Sequence, residues 1–95
     1  MKIYLPHIHY TVFVRKFKKA PSEMENALAY VENIDNNSCA IFLGKKDSSG
    51  DIAHELVHVL QFICLARNID FRLEKEHMGY IMHYLMGRIL GNEWI

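Results

Sequence analysis

From Ile52 onward the chain is apolar nearly all round, with Ile52, Ala53, Leu56, Val57, Val59, Leu60, Phe62, Ile63 and Leu65 broken by one polar stripe of Asp51, His54, Glu55, His58 and Gln61. A run of this length, free of proline and glycine, reads as a buried helix with a single wet seam. Ser48 and Ser49 followed by Asp51 mark its start, an S-x-x-D capping pattern with a carboxylate at the positive end of the helix dipole. Lys45 to Gly50 reads as the loop before it, and the helix is expected to run to about Arg67 and stop at Asn68.

The seam holds His54-Glu55-Leu56-Val57-His58, an H-E-x-x-H pattern. At ~100° per residue the two histidines lie one above the other on one face, and the glutamate flanks them. Burying two imidazoles and a carboxylate without partners is costly, and a metal is the simplest compensation. A zinc ion held by both imidazoles would keep its water beside Glu55 and lower the water's pKa towards ~7. Glu55, which is not a ligand in this scheme, could take that proton and later deliver it to a leaving amine. The bland alternative is that His54 and His58 are hydrogen-bonded core or surface residues and Glu55 is solvated.

The rest of the chain bounds the reading. Its 95 residues make one domain, 1–95, with a single modest core, and with 51% hydrophobic residues some apolar surface is expected to stay exposed as a substrate groove or a self-association patch, so a homo-oligomer is open. Eleven cationic side chains against eleven anionic ones leave no electrostatic footprint for nucleic acid or an anionic membrane. The basic cluster Arg15-Lys16-Phe17-Lys18-Lys19 is expected to cap a strand and solubilise a loop. Cys39 and Cys64 make no disulfide framework and read as small buried thiols of a reducing compartment. The start of the chain has no signal-peptide pattern and no segment suits a bilayer, so a cytoplasmic protein is expected.

Lys2 to Phe17 is rich in β-branched and aromatic residues, alternating at Ile8, Tyr10, Val12 and Val14 with a phase change near Pro6, and reads as one strand bent or bulged at the proline. His7 and His9 then share a strand face as a solvated pair. A polar loop from Lys18 to Asn26 with Pro21 leads to Ala27–Ile34, a turn at Asp35-Asn36-Asn37-Ser38 and Cys39–Gly44, a hairpin pattern. A second helix is expected over about Arg72 to Leu90, ending at Gly91. Met78, Ile81, Met82, Leu85 and Ile89 form its core stripe, with Glu76, Tyr80, His83 and Gly87 roughly opposite and His77, Tyr84 and Arg88 as the expected solvent line. The fold class is therefore α+β, a small three-stranded, mostly antiparallel sheet followed by two helices.

A catalytic zinc needs a third protein ligand and an open position. In the extended H-E-x-x-H-x-x-G-x-x-H motif a glycine lets a third histidine fold back, but Gln61 and Cys64 stand at those places, and Cys64 points ~120° away on a continuous helix. The other common solution is a glutamate from a following helix, which selects Glu76, 18 residues after His58. His77, His83 and no third protein ligand are the alternatives. Tyr80 and His83 share the face of Glu76 and could donate to the oxyanion formed during carbonyl hydrolysis, or Tyr80 could simply pack.

Ile52-Ala53-His54-Glu55-Leu56-Val57-His58 followed by Glu76-His77-Met78-Gly79-Tyr80 resembles the glutamate-type zincins, and most of all the very short zincin-like metallopeptidases of phages and prophages. In those an I-A-H-E-x-x-H helix precedes a helix bearing E-x-x-A-Y. The resemblance covers Asp51 to Leu85 and implies Zn2+ as cofactor, His54, His58 and Glu76 as ligands and Glu55 as general base. It also implies a strand before the motif helix that pairs with extended peptide, for which Cys39–Gly44 is the candidate. Gly79 stands where alanine is usual. Tyr80 stands where larger zincins carry an aspartate that orients a ligand histidine, so a backbone carbonyl or another carboxylate must hold the imidazoles here. Three functional classes follow: a minimal zinc metallopeptidase, a catalytically inactive zinc-binding domain acting as a protein-interaction module, and a metal-free interaction protein.

Overall fold

The computed structural model describes residues 1–17, 29–44 and 47–91. They form strands β1 (Lys2–Leu5), β2 (Tyr10–Phe17), β3 (Ala29–Asp35) and β4 (Ser38–Gly44), then helices α1 (Ser49–Arg67) and α2 (Lys75–Leu90). The expected loop over 18–26, the beginning of the strand expected from Ala27, and Lys18 and Lys19 lie outside the described residues.

The α+β class holds, with two helices after the sheet, but the sheet has four strands and is mixed, in the order β1-β2-β4-β3. The expected single strand Lys2–Phe17 is a hairpin. The change of phase near Pro6 is a reversal: residues 6–9 form a turn closed by Ile8 N–H donating to Leu5 O at 3.3 Å, and His9 takes φ 50°. β1 then pairs antiparallel with β2, from Leu5↔Tyr10 to Lys2↔Phe13. His7 and His9 accordingly sit in this turn and not on a strand face, with His9 Nδ1 2.7 Å from the Tyr4 hydroxyl.

β4 runs parallel to β2 (Val12↔Cys39, Val14↔Ile41) and antiparallel to β3 (Val31↔Ile41). The β3–β4 hairpin forms as its turn residues dictate, with Asp35 Oδ1 accepting from Asn37 N–H at 2.7 Å and from Ser38 Oγ–H at 2.9 Å. Cys39–Gly44, expected as a peptide-binding edge, is therefore interior. Both its edges are already hydrogen-bonded, so it cannot accept another chain. Ser38, Cys39, Ala40 and Ile41 are accordingly buried in succession, where a strand with one wet face would alternate.

Both helices cover one face of the sheet. Ile3, Leu5, Tyr10, Val12, Val14, Cys39, Ile41 and Leu43 meet Ile52, Leu56, Val59, Leu60 and Ile63 of α1 and Met78, Ile81, Leu85 and Ile89 of α2 in one core. The start of α1 is the capping box foreseen: Ser48 Oγ accepts from Asp51 N–H at 3.2 Å and Asp51 Oδ2 accepts from Ser48 N–H at 2.9 Å. Its end is Asn68 in the left-handed conformation, φ 54° and ψ 45°. α2 begins at Lys75, later than Arg72, because Asp70 spends the intervening residues on a turn, its carbonyl accepting from Leu73 N–H at 3.0 Å and its Oδ1 from Arg72 N–H at 3.0 Å.

Arg67 ties these parts together. Its guanidinium donates to Ile8 O (2.7 Å), His9 O (3.0 Å), Asn36 O (2.8 Å) and Asn37 Oδ1 (2.8 Å), fastening the end of α1 to both hairpin turns at once. Lys16, from the basic cluster, donates to Ile89 O at 2.9 Å in the last turn of α2, a helix cap and not a strand cap. Cys39 and Cys64 are both free thiols, the first buried and the second half-buried with Sγ 3.5 Å from Met78 Sδ across the two helices. No helix among the described residues is long and apolar enough to cross a membrane.

Candidate metal centre

The ligand atoms of His54, Glu55 and His58 all lie within 4.8 Å of one another. The cause is local, since the i, i+4 spacing brings the two rings to a centroid separation of 5.3 Å, edge to face at 79°. Two nitrogens bound to one zinc at ~2.0–2.1 Å need only a small rotamer adjustment from such a spread. The spacing of the pair is compatible with a shared metal ion, and the half-buried Glu55 places its carboxylate within the same 4.8 Å.

The burial argument for a metal does not survive. α1 buries Ile52, Leu56, Val59, Leu60 and Ile63, and at ~100° per residue His54 and His58 fall roughly opposite that stripe. Both are exposed. The helix is not buried all round, for Val57 is 46% and Leu65 81% exposed, so water already solvates the imidazoles. The case for a metal rests on the geometry of the donors.

Glu76, Tyr80 and His83 are placed together, but apart from that triplet. They line a shallow depression on α2 with Lys75 and Gly79, and α1 contributes no lining residue among those described. The reason is the same on both helices: the α2 core stripe of Met78, Ile81, Leu85 and Ile89 turns Glu76 and Tyr80 outward, as the α1 stripe turns His54 and His58 outward. A built Cβ on Gly79 or Gly87 would meet nothing within 4 Å, so neither glycine serves a close approach of the helices. Of the expected solvent line Tyr84 and Arg88 are exposed and His77 is half-buried. His77 and Tyr84 also border a cavity of 350 Å³ at the β1–β2 end of the sheet, with Leu5, Pro6, His7 and Ile8, while Arg88 donates to the Tyr84 hydroxyl at 2.8 Å.

Two features escape the motif reading. Gln61 Oε1 lies 3.2 Å from His58 Nδ1, one turn along the exposed face. The polar stripe contains Gln61, but as the residue replacing the motif's glycine it drew no role. Beside it a groove of 730 Å³ runs along α1, lined by Val57, Gln61, Cys64, Leu65, Ile69 and Phe71 with Asp70 and Arg72 at its end. It holds part of the apolar surface expected from composition to stay exposed.

No family model, curated protein or solved structure matches the chain.

Proposed function

We propose that this chain is a minimal zinc peptidase of the gluzincin kind, with His54 and His58 as metal ligands, Glu76 as the third protein ligand and Glu55 as general base and acid. The observation that carries the reading is the convergence of two imidazoles and a carboxylate within 4.8 Å on one side of α1. Bound zinc would supply Lewis-acid polarisation of the scissile carbonyl and a more acidic water. Glu55 takes the proton of the attacking water and returns it to the leaving nitrogen. Recruiting Glu76 requires the start of α2 to move towards α1; Glu74 makes no side-chain cap bond and Lys75 and Glu76 are exposed, while Met78, buried against Cys64 of α1, is the contact that must give. Tyr80, on the same exposed side as Glu76, and His83 travel with that turn as oxyanion donors.

The substrate is an extended peptide. β4 is closed on both sides, whereas the outer edge of β3 pairs with no strand among the described residues, and α1 packs directly on β3. Main-chain pairing along Ala29–Asp35 would accept a broad range of side chains.

The decisive experiment measures zinc in protein purified without chelator, then cleavage of an unfolded-protein or peptide-library substrate. About one zinc per chain is expected, with cleavage abolished by chelator and restored by zinc. Glu55→Gln should keep fold and zinc and lose ~10²–10⁴-fold in turnover. Activity indifferent to Glu55→Gln would mark a contaminating protease. A second reading, a zinc-holding interaction module without turnover, is favoured by the open convex setting of His54 and His58. Full zinc loading without cleavage decides for it.

A further inference from the structure

We infer that Gln61 is the positioning residue of His58: its side-chain carbonyl holds the imidazole in the Nδ1–H form and leaves the lone pair of Nε2 facing out as the metal donor. Its role in metal binding rests on the zinc reading above; the tautomer itself does not.

The contact is His58 Nδ1 to Gln61 Oε1, 3.2 Å, between side chains three residues apart on one helix face. An amide oxygen can only accept, so Nδ1 must donate. A neutral imidazole has a single N–H, so Nε2 is then the unprotonated nitrogen. This is the arrangement by which ligand histidines are usually oriented, with the partner here supplied by the same helix. It replaces the backbone carbonyl or carboxylate that the sequence left to be found. It also makes the two histidines unequal. Among the described residues the His54 ring makes no hydrogen bond, although it lies edge-to-face with His58 and near the Asp51 and Glu55 carboxylates, so no partner atom fixes its tautomer. A neutral amide orients His58 without placing a second carboxylate beside Glu55, whose own charge is needed as the base.

The opposite orientation of the Gln61 amide gives the opposite result. An N–H donating to Nδ1 would fix His58 as the Nε2–H form and leave neither nitrogen free. The two arrangements are distinguished by long-range ¹⁵N–¹H correlation spectra of the imidazoles in the metal-free full chain, recorded at about pH 8. His58 is expected as the Nδ1–H form and His54 as a mixture. Gln61 is exposed and borders the apolar groove with Val57 and Leu65, so Gln61→Leu should fold. In that variant His58 should become a tautomer mixture and zinc affinity should fall ~10–100-fold. Gln61→Glu, which keeps an acceptor at the same reach, should restore both the Nδ1–H signature and the affinity. An Nε2–H signature in the wild type overturns the inference, as does a Gln61→Leu variant with an unchanged tautomer or unchanged zinc affinity. A wild-type chain that shows the Nδ1–H form but takes up no zinc sinks the peptidase reading and leaves the positioning of His58 standing.

Discussion

Helix α1 is fastened by side chains at both ends, through the Ser48–Asp51 capping box and the Arg67 guanidinium, whereas α2 starts at Glu74 with no side-chain cap and carries glycine at positions 79 and 87. The candidate site divides along the same line. The donors that belong to α1 are assembled by helical spacing alone, because residues four apart are neighbours wherever a helix forms. The donors that belong to α2 depend on how two helices lie against each other, and they stand apart. A metal would then act on α2 more than on α1, because the first turn of α2 would have to be recruited, as binding energy commonly contributes to the folding of small metal-binding domains.

Zinc affinity gives the largest effect that could break this contrast. His54→Ala and His58→Ala should each weaken zinc by well over the ~10–100-fold that changes of supporting residues cost, measured by competition with a chromophoric chelator. Glu76→Ala should lose less, since part of its binding energy is spent on moving α2. If Glu76→Ala matches wild type while His83→Ala or His77→Ala does not, α2 contributes through a different residue. If none of the three matters, the site is confined to α1.

Stability gives the next effect. Arg67→Ala strips hydrogen bonds from three carbonyls and one amide oxygen in two different turns, and should cost about 2–4 kcal/mol in urea unfolding. Arg67→Lys should recover little, because one ammonium cannot reproduce a planar fork that spans both turns. A loss below ~0.5 kcal/mol would show that α1 is held by its core stripe and not by its end.

How much of this was legible follows from what kind of interaction each feature needs. α1 was readable from its local signals, the apolar period, the Ser48–Asp51 cap and the Asn68 stop, although it begins at Ser49, inside the loop expected over 45–50. The β3–β4 hairpin was readable for the same reason, from Asp35 and the asparagines of its turn. The β1–β2 reversal was mistaken for a bend because Pro6 permits both, and only the burial of Ile3 and Leu5 with Tyr10 and Val12 on one face distinguishes them. The interior position of β4 and the reach of Arg67 are long-range, joining residues 27 apart in the β2–β4 ladder and 30 or more apart through Arg67, and no local pattern announces either. In the site, the His54–His58 pair was readable from spacing. Its exposure was not, since Val57 and Leu65 look like core residues until the helix is placed on the sheet.

A smaller effect tests whether the glycines of α2 have a use. With nothing within 4 Å of an added methyl, Gly79→Ala should stabilise the chain by ~0.5–1 kcal/mol through helix propensity and unfolded-state entropy, a rise of a few degrees in Tm. Gly87→Ala, two turns further on, serves as the control. If preorganising α2 helps it to bind, zinc affinity should rise with Gly79→Ala. A fall in affinity confined to Gly79→Ala would mean that the first turns of α2 must loosen to deliver Glu76.

The smallest effect concerns the anchor that α1 has and α2 lacks. The Ser48 amide and hydroxyl that donate to the Asp51 carboxylate hold its pKa below the ordinary carboxylate value, and nearby His54 favours the charge further. A carboxyl whose folded pKa is depressed contributes stability that is fully present above the unfolded value of ~3.9 and is lost as pH falls through the folded one. Amide exchange should therefore show the first turn of α1 fraying below about pH 4, while Asp51→Asn, which keeps an acceptor but no charge, should already be frayed and respond little to pH in that window. The Asp35 carboxyl, lowered chiefly by the Asn37 amide, adds a parallel loss at the β3–β4 turn, and the Asp51→Asn background separates the two. Because His54 stands in the turn next to the cap, fraying there should broaden the His54 resonances before those of His58, which Gln61 holds from the other side. Simultaneous broadening of both rings would mean that the cap and the His58–Gln61 contact belong to one cooperative unit, and that the two histidines are not unequal after all.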